Sequence, residues 1–170
     1  MDNTKTPSRQ IPRKLQLFVF QRDRWLCRFC GKPVVFAPAL KYLQQELLES
    51  GFKDLAYWRY AYDRHGAPLL DELAAVIDHE KAFSLGGPST IENLNTCCNR
   101  CNMMKSSADS EAWRHKHRAR KIKAKYGEPQ DWDGFSSVFV LLAKRNPSRL
   151  KPSESEWLQL LTKPALGLTV

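Results

Sequence analysis

Apolar residues recur at helical spacing along most of the chain, with one short exception. The spacing predicts helices over residues 13–24 and 38–50, the second closed by Gly51, although Phe18-Val19-Phe20 in the first segment is also compatible with a strand. The exception is the apolar run Ala75-Val76-Ile77, which is typical of a short strand and delivers Asp78-His79 at its end. Further helices are predicted over residues 52–64, 99–107, 111–126, 135–145 and 154–162.

Length and composition are those of one globular domain with an extension. The chain has 170 residues, of which 42% are hydrophobic, and this is enough for a buried core. No apolar run approaches the length that spans a membrane, and the first residues do not resemble a signal peptide. We therefore expect a cytoplasmic protein without a membrane partner, whose cysteines stay reduced.

Four of the five cysteines form two Cys-x-x-Cys pairs. The first pair is Cys27 and Cys30, and the second is Cys98 and Cys101. Two pairs of thiolates supply the tetrahedral ligand set of one structural Zn²⁺ ion, although buried clusters of free thiols would give the same spacing. Cys97 is the spare cysteine, and we assign it to packing because Cys-x-x-Cys is the commoner spacing of a zinc knuckle.

Positive charge is concentrated in two segments of a chain whose formal net charge is +9. Residues 1–32 and residues 105–125 each hold eight basic and two acidic residues, whereas residues 33–104 hold six basic and nine acidic residues. A polyanion bound by the two basic segments would pass close to the acidic middle, and nucleic acid is the obvious polyanion. Solvated helix faces that keep the protein soluble would give the same charge pattern.

Asp78 and His79 lie in the acidic middle of the chain. A carboxylate suits a hard divalent cation, and an imidazole suits the removal of a proton from water. Adjacent residues of a strand point to opposite sides, so we expect one side chain to bind the ion while the other faces the reacting phosphate. Taken alone, these two residues favour a satisfied polar pair at a strand end.

The residues around this pair carry a longer pattern. The run Asp78-His79-x6-Gly86-Gly87-x5-Asn93-Leu94-x3-Cys98-x2-Cys101-Asn102-x2-Lys105 resembles the core of HNH endonucleases, the ββα-metal nucleases. With the first cysteine pair, the resemblance covers residues 15–35 and 75–107, with a helical segment inserted between them. The final histidine of the family's name is an asparagine here, as in the four-cysteine branch of the family.

The resemblance implies metal-dependent hydrolysis of DNA phosphodiester bonds. By that resemblance, His79 is the general base, and Asp78 and Asn102 hold one catalytic Mg²⁺ or Mn²⁺ ion. Asn93 braces the loop and helps to orient His79, while the Zn²⁺ ion on the four cysteines does no chemistry. Two alternatives stay open: a zinc-stabilised nucleic-acid-binding module without catalysis, and a nuclease that prefers RNA, because phosphate contacts do not distinguish the two polymers.

Two positions depart from the family's pattern, and one acidic residue is added beside the site. Ala82 stands where many members carry proline, and Leu85 stands where a basic residue often precedes the glycine pair. Glu80 places an extra carboxylate next to His79, and we interpret it as a solvated acid rather than as a support for a metal ligand.

Contacts to nucleic acid are assigned to basic residues at the end of the core and on the predicted 111–126 helix. A solvated surface helix is the alternative interpretation of this segment. The assigned residues are Lys105, Arg114, Lys116, Arg118, Arg120 and Lys121.

Together these features predict an α+β fold, in which a zinc-stapled ββα-metal core carries a helical insertion and a helical C-terminal extension. The predicted boundaries are a flexible basic tail over residues 1–12, a nuclease core over residues 13–107 and an extension over residues 108–170 that starts with the basic helix. The insertion occupies residues 38–74 of the core. A monomer and a homodimer are both compatible with the sequence.

Overall fold

The computed structural model describes residues 10–51, 72–108, 110, 113 and 131–163. These residues form a mixed arrangement of helices and one small sheet, which is the predicted α+β class. The helices are α1 (Arg13–Arg22), α2 (Ala37–Glu49), α3 (Asn99–Lys105), α4 (Ser136–Arg145) and α5 (Pro152–Thr162), and the strands are β1 (Ala75–His79) and β2 (Leu94–Cys98).

Several predicted segments lie outside the described residues. These are most of the predicted basic tail, the predicted 52–64 helix, much of the rest of the insertion, and nearly all of the predicted 111–126 helix. Within the described ranges, no helix has the combination of length and apolar character that crossing a bilayer requires.

β1 and β2 pair as an antiparallel two-stranded sheet. Asp78 lies opposite Asn95 and His79 opposite Leu94, so β1 is two residues longer than the apolar run 75–77 that predicted it. The backbone pairing continues past the strand, because the Glu80 amide donates a 2.7 Å hydrogen bond to the Asn93 carbonyl. Asp78 and His79 therefore have a fixed register at the end of a sheet.

Thr96 ties the outer edge of β2 to α1 and to the loop that follows α1. Its amide donates to Asp23 Oδ2 at 2.7 Å, and its hydroxyl donates to the Val19 carbonyl at 3.1 Å. Its own carbonyl accepts a 2.9 Å hydrogen bond from the Arg28 amide. The free edge of the strand is thus covered at this position, which fixes the hairpin against the segment that carries Cys27 and Cys30.

One hydrophobic core joins the N-terminal half to the C-terminal helices. The buried ring of Phe36 makes edge-on contacts with Trp25, Phe139 of α4 and Trp157 of α5, with ring centroids 5.1–5.7 Å apart. The same cluster of buried residues contains the zinc-candidate cysteines Cys27, Cys98 and Cys101. The C-terminal helices that the structure describes are therefore part of the body that supports the cysteines.

Candidate metal centre and active site

A tight turn holds the first cysteine pair. The Cys27 amide donates to the Lys32 carbonyl at 2.9 Å, and the Gly31 amide donates back to the Cys27 carbonyl at 2.8 Å. Gly31 has a φ of 73°, in the left-handed region that favours glycine. The turn brings Cys27 and Cys30 close to each other, as the sequence predicted for a zinc knuckle.

The second pair lies where β2 passes into α3. Cys98 is the last residue of the strand, and Cys101 lies in the first turn of the helix, where its amide donates to Cys98 Sγ at 3.4 Å. The four Sγ atoms of the two pairs lie within 4.8 Å of one another, and Cys30 and Cys98 are 3.9 Å apart. Zinc–sulfur bonds of about 2.3 Å in a tetrahedron require a sulfur–sulfur distance of about 3.8 Å. The four cysteines are positioned to bind a metal ion, and their donor set is that of zinc.

The protonation of the cluster favours a bound cation. Hydrogen bonds from Cys101 and the other neighbouring thiols lower the pKa of Cys27, whereas the bond to Cys27, together with burial, raises the pKa of Cys101. A divalent ion supplies the positive charge that four thiolates need.

Cys97 stands apart from the cluster, as expected. Its thiol is buried and donates to the Cys98 carbonyl at 3.2 Å, and burial raises the pKa of the Cys97 thiol. The neutral side chain packs in the core while Cys98, on the opposite face of the strand, joins the metal centre.

Asp78 is buried beside a buried lysine. Its Oδ2 atom lies 3.0 Å from Lys105 Nζ, and the Lys105 side chain has no exposed surface. Apart from this ion pair, Oδ2 has no hydrogen-bond partner among the residues that the structure describes. Burial raises the pKa of the Asp78 carboxyl, and the charge of Lys105 opposes that rise.

The surroundings of Asp78 fit a hard divalent cation. Such cations prefer carboxylate and amide oxygens, and the Asp78 carboxylate is a donor of this kind, although the Lys105 ammonium lies beside it. Asn102 is half-buried on α3 and lies three residues before Lys105, so the two share one face of the helix that packs against β1. Asn102 therefore belongs to the helix face whose lysine contacts Asp78.

His79 is buried at the end of β1 and held by a serine. Its Nε2 lies 3.0 Å from Ser89 Oγ, and its ring packs at 5.7 Å against the ring of Phe83. Ser89 was not among the residues that the sequence analysis selected, because nothing in its local pattern marks it. The serine limits rotation of the imidazole, which is what a proton-transfer group requires.

Asn93 closes the loop between the strands. Its Oδ1 accepts from the Lys81 amide at 2.8 Å, while its Nδ2 donates to the carbonyls of Lys81 and Pro88 at 3.1 and 2.8 Å. A Cβ atom on Gly87 would lie 1.8 Å from the Lys81 carbonyl oxygen, so only glycine fits there. These contacts brace the loop that carries Ser89, in keeping with the role expected of Asn93.

Glu80 is held in place rather than solvated, contrary to our interpretation of the sequence. The side-chain Nδ2 of Asn95 donates to Glu80 Oε2 at 2.5 Å, and the backbone carbonyl of Glu80 accepts from Ser110 Oγ at 2.7 Å. Asn95 is the residue opposite Asp78 in the sheet. Cross-strand neighbours were not visible in the sequence, because they depend on the register of the hairpin.

Lys105 does not lie where a contact to nucleic acid would place it. Its ammonium is buried against Asp78 and the His79 carbonyl, so it has no surface to offer to a phosphate. The signal was present in the sequence, because Lys105 lies four residues after the buried ligand Cys101 and shares its helix face. The other residues assigned to nucleic-acid contacts, Arg114, Lys116, Arg118, Arg120 and Lys121, lie outside the described residues.

Residues 66–108 match the family model described as HNH endonuclease. The chain contains an HNH endonuclease domain. The matched segment includes Asp78, His79, Asn93 and Asn102, together with the second cysteine pair. Comparisons with curated proteins and with solved structures found no match.

The first cysteine pair comes from outside the matched segment of the HNH domain. Cys27 and Cys30 belong to the turn after α1, and they meet Cys98 and Cys101 of the domain at the metal centre. Two parts of the chain that lie far apart in sequence therefore complete one site, which is how a small hairpin and a short helix obtain a rigid support.

Proposed function

We propose that this chain is a metal-dependent endonuclease that hydrolyses phosphodiester bonds of DNA. The observation that carries the proposal is the end of β1 in the HNH domain. There, a buried Asp78 oxygen without a hydrogen bond is followed directly by His79, which is held by Ser89. A candidate metal ligand and a candidate base thus lie on adjacent residues with fixed backbones.

His79 acts as the general base. In the tautomer whose Nε2–H donates to Ser89 Oγ, Nδ1 carries the lone pair and can accept a proton from water. The deprotonated water attacks phosphorus in line with the leaving 3′ oxygen. The Phe83 ring and Ser89 keep the imidazole in one orientation during that transfer.

Asp78 and Asn102 hold the catalytic cation, which we expect to be Mg²⁺ or Mn²⁺. When bound, this ion neutralises charge on the phosphate and on the leaving oxygen. The protein's part is to fix the ligands: the register of the hairpin fixes the position of the Asp78 backbone, and helix α3 fixes that of Asn102. Asn93 braces the loop between β1 and β2.

The four cysteines hold a structural Zn²⁺ ion that takes no part in the reaction. All four ligand positions of a tetrahedron are filled by Cys27, Cys30, Cys98 and Cys101, so no position is open for water or substrate. The net charge of +9 supports a polyanionic substrate, and the basic residues after the core, from Arg114 to Lys121, are proposed to contact its backbone.

The test is cleavage of supercoiled, linear and branched DNA, and of structured RNA, by the purified full chain. Each substrate is incubated with Mg²⁺, with Mn²⁺ and with a chelator. We expect metal-dependent cutting of DNA that leaves a 5′ phosphate and a 3′ hydroxyl. His79→Ala should lower the rate by about 10²–10⁴-fold, the usual contribution of a general base.

Two controls accompany this test. His79→Ala must keep the zinc content and the melting temperature of the wild type, and Ser84→Ala, which changes an exposed residue of the same loop, should cut normally. Equal cutting by wild type and His79→Ala would rule out catalysis at this site. Binding of DNA without cutting by either protein would indicate a non-catalytic binding module, and cutting of RNA alone would change the substrate.

A further inference from the structure

Lys105 is a fully buried charged residue at the junction of the two candidate metal sites. Its Nζ atom lies 3.0 Å from Asp78 Oδ2 and donates to the His79 carbonyl at 3.1 Å. The same ammonium lies 5.9 Å from the centre of the Phe29 ring. The side chain has no exposed surface, so these groups replace water around the charge.

These contacts fix the position of the ammonium group. A buried charge is stable only when it is paired and hydrogen-bonded, and Lys105 has one carboxylate and one carbonyl for this purpose. The elements around the ammonium also carry the cysteines of the metal centre. Phe29 lies between Cys27 and Cys30, and Lys105 follows Cys101 by one helical turn on α3.

The partner of this ammonium is the oxygen that a catalytic cation would need. Asp78 Oδ2 is the buried carboxylate oxygen without a hydrogen bond, and Lys105 is the cation beside it. A divalent ion on the same oxygen would lie within a few ångströms of the Lys105 ammonium, which is buried and shielded from solvent. Like charges at that distance repel strongly in a partly dry site.

We propose that Lys105 is a positioning residue that holds the Asp78 carboxylate through its ammonium group, and that a catalytic cation on Asp78 would bind in competition with this ammonium. The inference rests on the proposed function only in assigning the catalytic cation to Asp78. Lys105 then has two effects. It keeps the Asp78 carboxylate and the His79 backbone in place before the metal arrives, and it weakens the binding of that metal.

The direct test is a titration of the zinc-loaded full chain with Mn²⁺, followed by electron paramagnetic resonance of the free ion. Lys105→Met keeps most of the length of the side chain and removes its charge. We expect this variant to bind Mn²⁺ about tenfold more tightly, or more, because one competing positive charge is gone. The matched control is Lys81→Met, which removes a charge from an exposed lysine of the same hairpin and should leave the Mn²⁺ affinity within twofold of wild type.

Thermal unfolding gives a second readout, which can be used even when the variant is less stable than the wild type. Lys105→Met leaves a buried carboxylate without its partner, so its melting temperature should fall below that of the wild type. Mn²⁺ should then raise the melting temperature of Lys105→Met by more than it raises that of the wild type or of Lys81→Met. The double variant Asp78→Asn/Lys105→Met should recover stability and lose the response to Mn²⁺.

Two outcomes would overturn the inference, and they differ in what else they affect. If wild type cuts DNA and binds Mn²⁺ but Lys105→Met binds Mn²⁺ equally or more weakly, Lys105 does not compete and only this inference fails. If neither protein binds Mn²⁺ and the wild type does not cut, the assignment of Asp78 as a metal ligand fails as well, and with it the proposed function.

Discussion

At the scale of single residues, His79 shows how little of its environment a motif specifies. The motif places the histidine after Asp78, but the partner of its ring is Ser89, ten residues later on a loop. The loop brings that serine back because Asn93 and Gly87 hold its ends together. A role for His79 in proton transfer therefore depends on a hydroxyl group that has no place in the spacing pattern.

Ser89→Ala should lower the rate of cleavage with little change in substrate affinity. The hydroxyl bonds to the His79 ring, so its loss should reduce kcat by about tenfold, which corresponds to about 1.4 kcal/mol, and leave KM close to the wild-type value. Ser89→Thr, which retains a hydroxyl, should recover most of the rate. An unchanged kcat in Ser89→Ala, with Ser84→Ala as the parallel control, would show that the imidazole is oriented without the serine.

At the scale of elements, local sequence signals predicted the positions of the helices, whereas the length of β1 and its cross-strand contacts depend on long-range pairing. Helix α2 was predicted within one residue at each end, because Pro38 and Gly51 mark its first turn and its close. Strand β1 was predicted too short, since the polar residues Asp78 and His79 join it only through pairing with β2. The Glu80–Asn95 contact depends on the same register, so the local sequence does not predict it.

Helix α4 begins on a side-chain cap that makes its stability sensitive to acid. The Asp133 carboxylate accepts from the amides of Phe135 and Ser137 at 2.9 and 2.8 Å. Burial alone would raise the pKa of Asp133, but hydrogen bonds from Ser137, Ser136 and Phe135 outweigh it and hold the pKa below its usual value. The cap is therefore strongest when the carboxyl group is ionised.

Asp133→Ala should lower the free energy of unfolding by about 1 kcal/mol at neutral pH, the usual value of such a cap. A depressed pKa in the folded state means that the ionised cap is fully effective above the unfolded-state pKa of about 3.9, and that this part is lost as the pH falls through the lower folded value. Urea titrations of wild type and variant should thus converge in acid. Asp131→Ala, two residues away and exposed, should track the wild type at every pH. A difference that persists after the pH has fallen through the folded-state pKa of Asp133 would mean that the charge of Asp133 is not what stabilises the helix.

At the scale of the whole molecule, the metal centre determines which segments meet. The paired cysteines were predicted from their spacing alone, because a Cys-x-x-Cys turn is a local feature. The packing of α4 and α5 into the same core could not be predicted, because Phe139 and Trp157 contact Phe36, which is more than a hundred residues earlier. The spacing from Cys101 indicates the buried helix face of Lys105, but its partner Asp78 could not be predicted, because Asp78 lies on another element.

Removal of the metal should unfold this core rather than loosen one loop. Cys30 and Cys98 are 68 positions apart, and three of the four ligands lie in the hydrophobic core. A structural zinc site contributes about 10–16 kcal/mol of apparent binding free energy, as much as the whole stability of a typical domain. Cys98→Ala should therefore lose zinc and cooperative melting, whereas Cys97→Ala, its buried neighbour, should keep one zinc per chain. Metal analysis with circular dichroism would decide this, and a chelated wild type that still melts cooperatively would show that the core stands without the ion.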